Sequence, residues 1–149
     1  MIMDSKLTFL TNTSVAAGIG TALVGDVIDL DTAGRRLFSN NNLKLAILVT
    51  ASFASGTSST IQFQLASDAA AAIAVDGTQT IHVASDVFDE SELTAGTIIY
   101  IDLPGGKPNF ERYLGLQVVT GVAATTAGSI TAALVMDVQD WEAAADASN

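Results

Sequence analysis

The chain has 149 residues, and its 16 acidic side chains against 6 basic ones give a formal net charge of −10. It contains no cysteine, which excludes disulfides, thiolate metal sites and thiol nucleophiles, and its one histidine leaves a single candidate for a catalytic triad. The negative charge argues against nucleic acid or an anionic membrane as a partner, because both bind cationic surfaces. Hydrophobic residues at 49% and charged residues at 15% favour a folded domain over a disordered chain.

Apolar and polar residues alternate along most of the chain, which is the pattern of half-buried β-strands. Leu43 to Phe53 is instead apolar on both faces, as in a central strand. In chain order, the alternating stretches are Asp26 to Asp31, Ile61 to Leu65, Ile99 to Leu103, Leu114 to Val118 and Ile130 to Met136. The turn-forming segments between them are Ser39 to Asn42, Ser55 to Ser58, Asp76-Gly77 and Pro104 to Pro108. This spacing predicts an all-β fold, an antiparallel β-sandwich or jelly roll of about eight strands with short or no helix.

Two segments and the tail leave local structure open. Asp68 to Ala74 fits a short helix by its alanine content or a strand by its position, and Ser85 to Leu93 fits a loop or one helical turn. We predict that residues 1–140 form a single jelly-roll domain with an extended N-terminal segment. Residues 141–149 are predicted to form an acidic tail, either a frayed helix or disordered.

Membrane insertion and export are not expected. Leu45 to Ser67 and Tyr113 to Met136 carry no formal charge, but their Ser, Thr, Gln and Gly content favours two strands and a loop over one span. Met1 to Leu10 lacks an apolar core long enough for a signal peptide, so the chain is expected to be made and kept in a cytosol.

No catalytic, cofactor or metal site is predicted. Gly18-Ile19-Gly20 lacks the third glycine of a dinucleotide fingerprint, and Gly105-Gly106-Lys107 is followed by proline where a phosphate loop needs Ser or Thr. His82 is interpreted as an edge or surface histidine. The spacing of the close acidic residues is not that of an EF-hand, so they are interpreted as solvated carboxylates. Cation binding is left open for the segment Asp86 to Glu92.

Glu111-Arg112-Tyr113 opens a predicted strand directly after the Pro/Gly turn. Arg and Tyr are enriched in binding hot spots, so this tripeptide is a candidate interface anchor. An equally good interpretation is a structural ion pair with the tyrosine packed on the rim of the sandwich.

Several segments, in order, resemble a known family. They are Met1-x-x-Asp4-x-x-Leu7-x-Phe9, Val27 to Leu30, Tyr100 to Pro104, Glu111 to Leu116, Gly128 to Val135 and Asp137 to Gln139. Together they are similar to the small jelly-roll capsid cement, or head-decoration, proteins of tailed bacteriophages, over residues 1 to 139.

The resemblance implies a structural protein rather than an enzyme. A protein of this family would be made in the host bacterial cytoplasm and bind the outer surface of the phage head, clamping adjacent major capsid subunits against the pressure of packaged DNA. Its partners would be the major capsid protein and itself, as a dimer or trimer on capsid symmetry axes, without nucleic acid, membrane or cofactor. We expect the interface to include Leu7, Phe9, Lys107, Glu111, Arg112 and Tyr113.

Two other functions remain open. A jelly-roll carbohydrate-binding module or phage fibre domain would need exposed aromatics on one sheet face, and the candidates are Tyr100, Tyr113 and Trp141. A glycosidase would need two carboxylates facing each other across a groove.

Overall fold

The computed structural model describes residues 5–31, residue 33, residues 43–103 and residues 109–136. These residues form nine strands, with single turns of 3-10 helix at Ser5–Leu7 and Glu90–Glu92. The strands are β1 (Thr8–Ser14), β2 (Gly20–Asp29), β3 (Lys44–Ser55), β4 (Thr60–Asp68), β5 (Thr80–Ala84), β6 (Phe88–Asp89), β7 (Ile98–Asp102), β8 (Tyr113–Gly121) and β9 (Thr125–Val135).

The strands form two antiparallel sheets. Sheet A has the order β1-β9-β3-β7, and sheet B has the order β2-β8-β4-β5, with the two-residue strand β6 paired to the start of β4. Without β6, eight strands follow the jelly-roll order, in which successive strands change sheet except for the β4–β5 pair within sheet B. This confirms the predicted sandwich. The count of strands is nine because Phe88 and Asp89, in the acidic segment Asp86 to Glu92, pair with Ile61 and Thr60 of β4.

The core lies between the sheets and is built from the alternation seen in the sequence. Strand β4 directs Ile61, Phe63 and Leu65 inward, and these side chains are fully buried. Phe63 makes an edge-on contact with Phe53 of β3, with 6.3 Å between the ring centroids. Strand β3 is an inner strand of sheet A, between β9 and β7, as its apolar run predicts.

The two ends of the sandwich differ in their connections. At one end of the sandwich, β1, β3 and β8 begin and β2, β7 and β9 end. The register shows this: Lys44 of β3 pairs with Asp102 of β7 and Val135 of β9, and Tyr113 of β8 pairs with Asp29 of β2. We call this the connection end, because the longer links between the sheets, from β2 to β3 and from β7 to β8, lie between strand ends here. At the opposite end, the turn end, residues 15–19, 56–59 and 122–124 join consecutive strands.

Residues 69–79, between β4 and β5, are neither a helix nor a strand. The side chain of Asp68 accepts hydrogen bonds from the backbone N–H groups of Ala70 and Ala74, which closes the segment on itself. Ile73 is buried against β8, where a Cβ on Gly115 would lie 2.6 Å from its Cδ1 atom. The segment therefore packs over the outer face of sheet B.

Some predictions fall on residues that the structure does not describe. Lys107, Trp141, the turn at Pro104 to Pro108 and the tail 141–149 lie outside the described residues. Within the described residues, no helix has the length and apolar character needed to cross a membrane.

Candidate protein-interaction site

Residues 109–113 enter strand β8 at the connection end and are held by neighbouring strands. Phe110 is buried and its ring centroid lies 4.5 Å from that of His82 on β5. The backbone N–H of Glu111 donates to Oγ of Ser67 on β4, at 3.1 Å. The tripeptide Glu111-Arg112-Tyr113 is therefore fixed in place by sheet B.

Arg112 makes a two-point ion pair with Asp29 at the end of β2. Its Nε donates to Oδ1 of Asp29 at 3.0 Å, and its Nη2 donates to Oδ2 at 2.9 Å. The guanidinium also lies 5.0 Å from the ring centroid of Tyr113, a cation–π arrangement. The side chains of Arg112 and Asp29 remain 47% and 46% exposed.

The ion pair changes the titration of both groups. The Arg112 guanidinium, followed by the backbone N–H of Asp31, lowers the pKa of Asp29 below its usual value, and Asp29 raises the pKa of Arg112. The sequence pattern placed Asp29 and Asp31 on one strand face, but β2 ends at Asp29 and Asp31 has a φ of +68°. Asp31 leaves the strand because its N–H folds back onto Oδ1 of Asp29 at 2.8 Å.

The arrangement of Arg112 supports both interpretations left open by the sequence. The structural ion pair exists, although its partner is Asp29 rather than a neighbour in the sequence. About half of the charged surface is nevertheless exposed, and a guanidinium has five N–H donors, of which Asp29 takes two. A planar, stacked guanidinium loses little conformational entropy when it binds a partner, so the site is preorganised.

The other predicted interface residues lie in different surroundings. Leu7 ends the 3-10 turn before β1, is half-buried and packs against the core. Phe9 is 1% exposed and belongs to the core between the sheets, so its side chain has no surface to offer a partner in this structure. Lys107 lies outside the described residues.

A groove runs between β1 and β2 on the same side of the sandwich as Asp29. It is open to solvent and has a volume of about 540 Å³. Hydroxyl groups and one carboxylate border it, and its polar lining residues are Ser5, Thr8, Thr11, Thr13 and Asp26. The groove therefore presents polar groups along β1 and along β2, the strand that ends at Asp29.

Acidic residues lie at both ends of the described sandwich, whereas the described basic residues lie at one end. The basic residues that the structure describes, Lys6, Lys44 and Arg112, all lie at or next to the connection end. Lys44 pairs with Asp102 there. In the sequence, Arg35 and Arg36 fall between β2 and β3 and Lys107 falls between β7 and β8.

The acidic segment from Asp86 to Glu92 lies toward the turn end, where β6 pairs with the start of β4. Its carboxylates serve the local backbone and side chains: Glu92 accepts from the N–H of Asp89, and Glu90 accepts from Oγ of Ser59. Across residues 5–31, 33, 43–103 and 109–136, no three His, Asp or Glu side chains are grouped to hold a metal ion.

One polar contact was missed by the sequence analysis. The Oγ of Ser67, which is fully buried, lies 2.7 Å from Nε2 of His82. His82 is on the edge strand β5, as interpreted, and burial lowers the pKa of its ring. Because Ser67 also accepts the N–H of Glu111, the contact ties β4, β5 and residues 109–113 together. Ser67 is 15 residues from His82 and 44 residues from Glu111 in the sequence, so no local pattern links them.

Fold and surface together define an antiparallel jelly-roll protein with a half-exposed ion pair at one end. The chain belongs to the Bbp16 family, whose model matches residues 11–134. No curated protein matches the chain.

Proposed function

We propose that the chain is a capsid cement protein of a tailed bacteriophage that binds the outer surface of the head and clamps adjacent major capsid subunits. The observation that carries this proposal is the ion pair of Arg112 with Asp29 at the connection end, with Tyr113 stacked against it. The family model covers residues 11–134, a range that overlaps the segments on which the resemblance to capsid cement proteins rests.

The connection end has the properties of a contact surface for a folded partner. Arginine and tyrosine are enriched in binding hot spots. Here Arg112 is bonded to Asp29 of β2, and Tyr113 pairs with Asp29 of β2 and Asp68 of β4 in sheet B. The proposed partner, the major capsid protein, is present in many copies. Modest individual contacts can therefore combine through multivalency.

The net charge of the chain suits a position on the outer surface of the head. The net charge of −10 repels DNA, so contact with the packaged genome is disfavoured. At the connection end, the exposed part of the Arg112 guanidinium retains N–H donors beyond the two that Asp29 accepts. Because Arg112 and Tyr113 lie at the connection end, we propose that this end faces the capsid and that the turn end faces solvent.

The carbohydrate-binding alternative receives no support from the two described tyrosines. Tyr100 lies on β7 at the edge of sheet A, whereas Tyr113 begins β8 in sheet B and its ring contacts Arg112. The two rings therefore do not share one sheet face, as an aromatic platform for a glycan requires.

The test is co-sedimentation of the purified protein with heads that lack it. We expect the wild-type protein to sediment with the heads and to raise the temperature at which they release DNA. The key variant combines Asp29→Arg with Arg112→Asp, which preserves an ion pair within the chain but exchanges the charges offered to a partner. Its affinity should fall at least about tenfold, while its thermal unfolding midpoint stays close to that of the wild type.

The matched control is Ile19→Ala, at an exposed position in the turn that joins β1 to β2. This variant should bind heads like the wild type. Failure of the wild-type protein to bind or stabilise heads would overturn the proposed function. Full binding by the charge-exchanged variant would show that the ion pair is structural and that another surface contacts the shell.

A further inference from the structure

The groove between β1 and β2 takes no part in the ion pair at the connection end. Ser5 and Thr8 line the groove near that end, where β1 begins. Thr13 lines it farther along β1, where it lies opposite Ile130 of β9. The groove therefore runs from the connection end toward the middle of the sandwich.

The dimensions of the groove suit one extended polypeptide segment. The five residue steps from Thr8 to Thr13 span about 17 Å at the rise of a β-strand. A volume of about 540 Å³ over that length gives a mean cross-section of about 30 Å². An extended chain in stacked sheets takes up about 4.8 Å by 10 Å, so an open groove of this width holds one chain and no more.

The backbone on both sides of the groove is irregular. On β2, the register leaves residues 25–27 opposite a single residue of β8. On β1, the register against β9 shifts twice between Thr8 and Thr13. Neither strand offers a continuous ladder of hydrogen-bonding groups along the groove, so a bound segment must be recognised mainly by side chains.

Hydroxyl groups and one carboxylate supply those side-chain contacts. Ser5, Thr8, Thr11 and Thr13 border the groove, and a hydroxyl group can both donate and accept a hydrogen bond. Such a row can bind the N–H and C=O groups that any extended backbone exposes. Of the described residues that line the groove, only Asp26 is charged.

The carboxylate of Asp26 is exposed, and within the described part of the chain it has neither an ion pair nor a hydrogen bond. Asp29, three residues farther along, is instead bonded to Arg112. An unpaired carboxylate beside a row of hydroxyl groups favours a basic side chain, because opposite charges attract. The net charge of −10 on the whole chain adds to this preference.

We infer that the groove binds an extended segment of a shell subunit that carries a lysine or arginine, with the basic side chain at Asp26. The inference rests on the proposed function, in which the connection end faces the capsid. In that orientation a segment that projects from the shell would enter the groove at Ser5 and Thr8 and run along β1. The groove and Arg112 would then hold the protein at two separate points, which strengthens attachment.

The first test compares two charge reversals by co-sedimentation with heads that lack the protein. Asp26→Lys should lower the affinity at least about tenfold, because it places a cation against the basic side chain of the segment. Asp86→Lys makes the same change of charge at an exposed site toward the turn end and should bind like the wild type. Both variants should keep the thermal unfolding midpoint of the wild type, because both side chains are exposed.

Photo-crosslinking locates the bound segment without a change of charge. The chain has no cysteine, so Thr11→Cys places a single thiol in the groove for labelling with benzophenone maleimide. Irradiation with heads should link this label to one short stretch of a shell protein that contains Lys or Arg, identified by mass spectrometry. The control is Ser58→Cys, at an exposed position of the turn end, and its label should not link to the shell.

The outcomes separate the groove from the proposed function. If the wild type binds heads while Asp26→Lys binds equally well, or the label at Thr11→Cys links to no single shell segment, the inference is overturned and the proposed function stands. An equal loss of affinity in Asp86→Lys would mean that net charge rather than the groove controls binding, and it would also overturn the inference. If the wild type does not bind heads, both are overturned.

Discussion

The two sides of the sandwich differ in the regularity of their edge strands. On the β1/β2 side, Gly25 of β2 lies so close to β1 that a Cβ on it would be 2.3 Å from the carbonyl oxygen of Phe9. The edges of the two sheets are thereby brought against each other. On the β5/β7 side, β7 keeps an unbroken register and leaves the backbone groups of alternate residues directed outward.

This difference shows that strand pairing alone does not decide where a β-sandwich can associate. Both sides are made of the same backbone groups, and both sheets are antiparallel. On the first side a bulge interrupts the edge, and one glycine with φ of +71° lets β2 approach β1 closely; on the second side β7 has no such irregularity. Local departures from ideal geometry therefore protect an edge as effectively as charged side chains do.

The largest effect is expected for Phe9→Ala on the β1/β2 side. Removal of this buried ring should leave a cavity and lower the free energy of unfolding by about 3–5 kcal/mol. Ile81→Ala on the β5/β7 side should change it by less than about 1 kcal/mol, because the side chain is half exposed. Denaturant titration of each variant measures both values. If Phe9→Ala unfolds like the wild type but binds heads poorly, Phe9 acts as an interface residue.

Gly25→Ala should have the next largest effect. The added methyl group meets the backbone of β1, and alanine disfavours the positive φ at this position. The two causes together should lower the free energy of unfolding by about 2–4 kcal/mol. The matched control is Gly18→Ala, where a Cβ meets no atom within 4 Å, and it should unfold like the wild type. Equal stability of the two variants would mean that the β1/β2 side is not closed by this contact.

The smallest effect is a pH dependence on the β5/β7 side, at His82. Burial lowers the pKa of its ring in the folded protein, whereas the unfolded chain titrates near the ordinary value of about 6.5. Above this pH both states are neutral and the full stability is present. As the pH falls below about 6.5, the unfolded chain takes up a proton first, so the free energy of unfolding decreases.

Thermal unfolding of the wild type and His82→Gln between pH 7.5 and pH 5 measures this contribution. Carboxyl groups titrate near pH 4 and are largely outside that window. The wild-type midpoint should fall modestly with pH, and the midpoint of His82→Gln should fall less. Parallel curves for the two proteins would mean that the burial of His82 does not couple protonation to stability.

The sequence analysis was most successful where a signal is local. Alternation identified the strands around Phe63, Ile101, Leu116 and Leu134, since each inward side chain repeats every second residue whatever the strand pairs with. It failed at Asp31, where a backbone turn interrupts the alternation, and it did not show that the side chain of Phe9 packs in the core. Neither fact is visible in the spacing of residue types.

By itself, the sequence determined the class of fold, the central position of β3 and the absence of cysteine chemistry, because these depend on composition and on a period of two residues. Only the tertiary structure decided that Arg112 pairs with Asp29 and that Ser67 contacts His82. It also decided that β7 is the regular edge and that the described cations gather at the connection end. These features depend on the order of strands in two sheets, which brings together residues as far as 83 positions apart. The low charge content and alternation produce a sandwich, and the jelly-roll order determines which of its surfaces can bind.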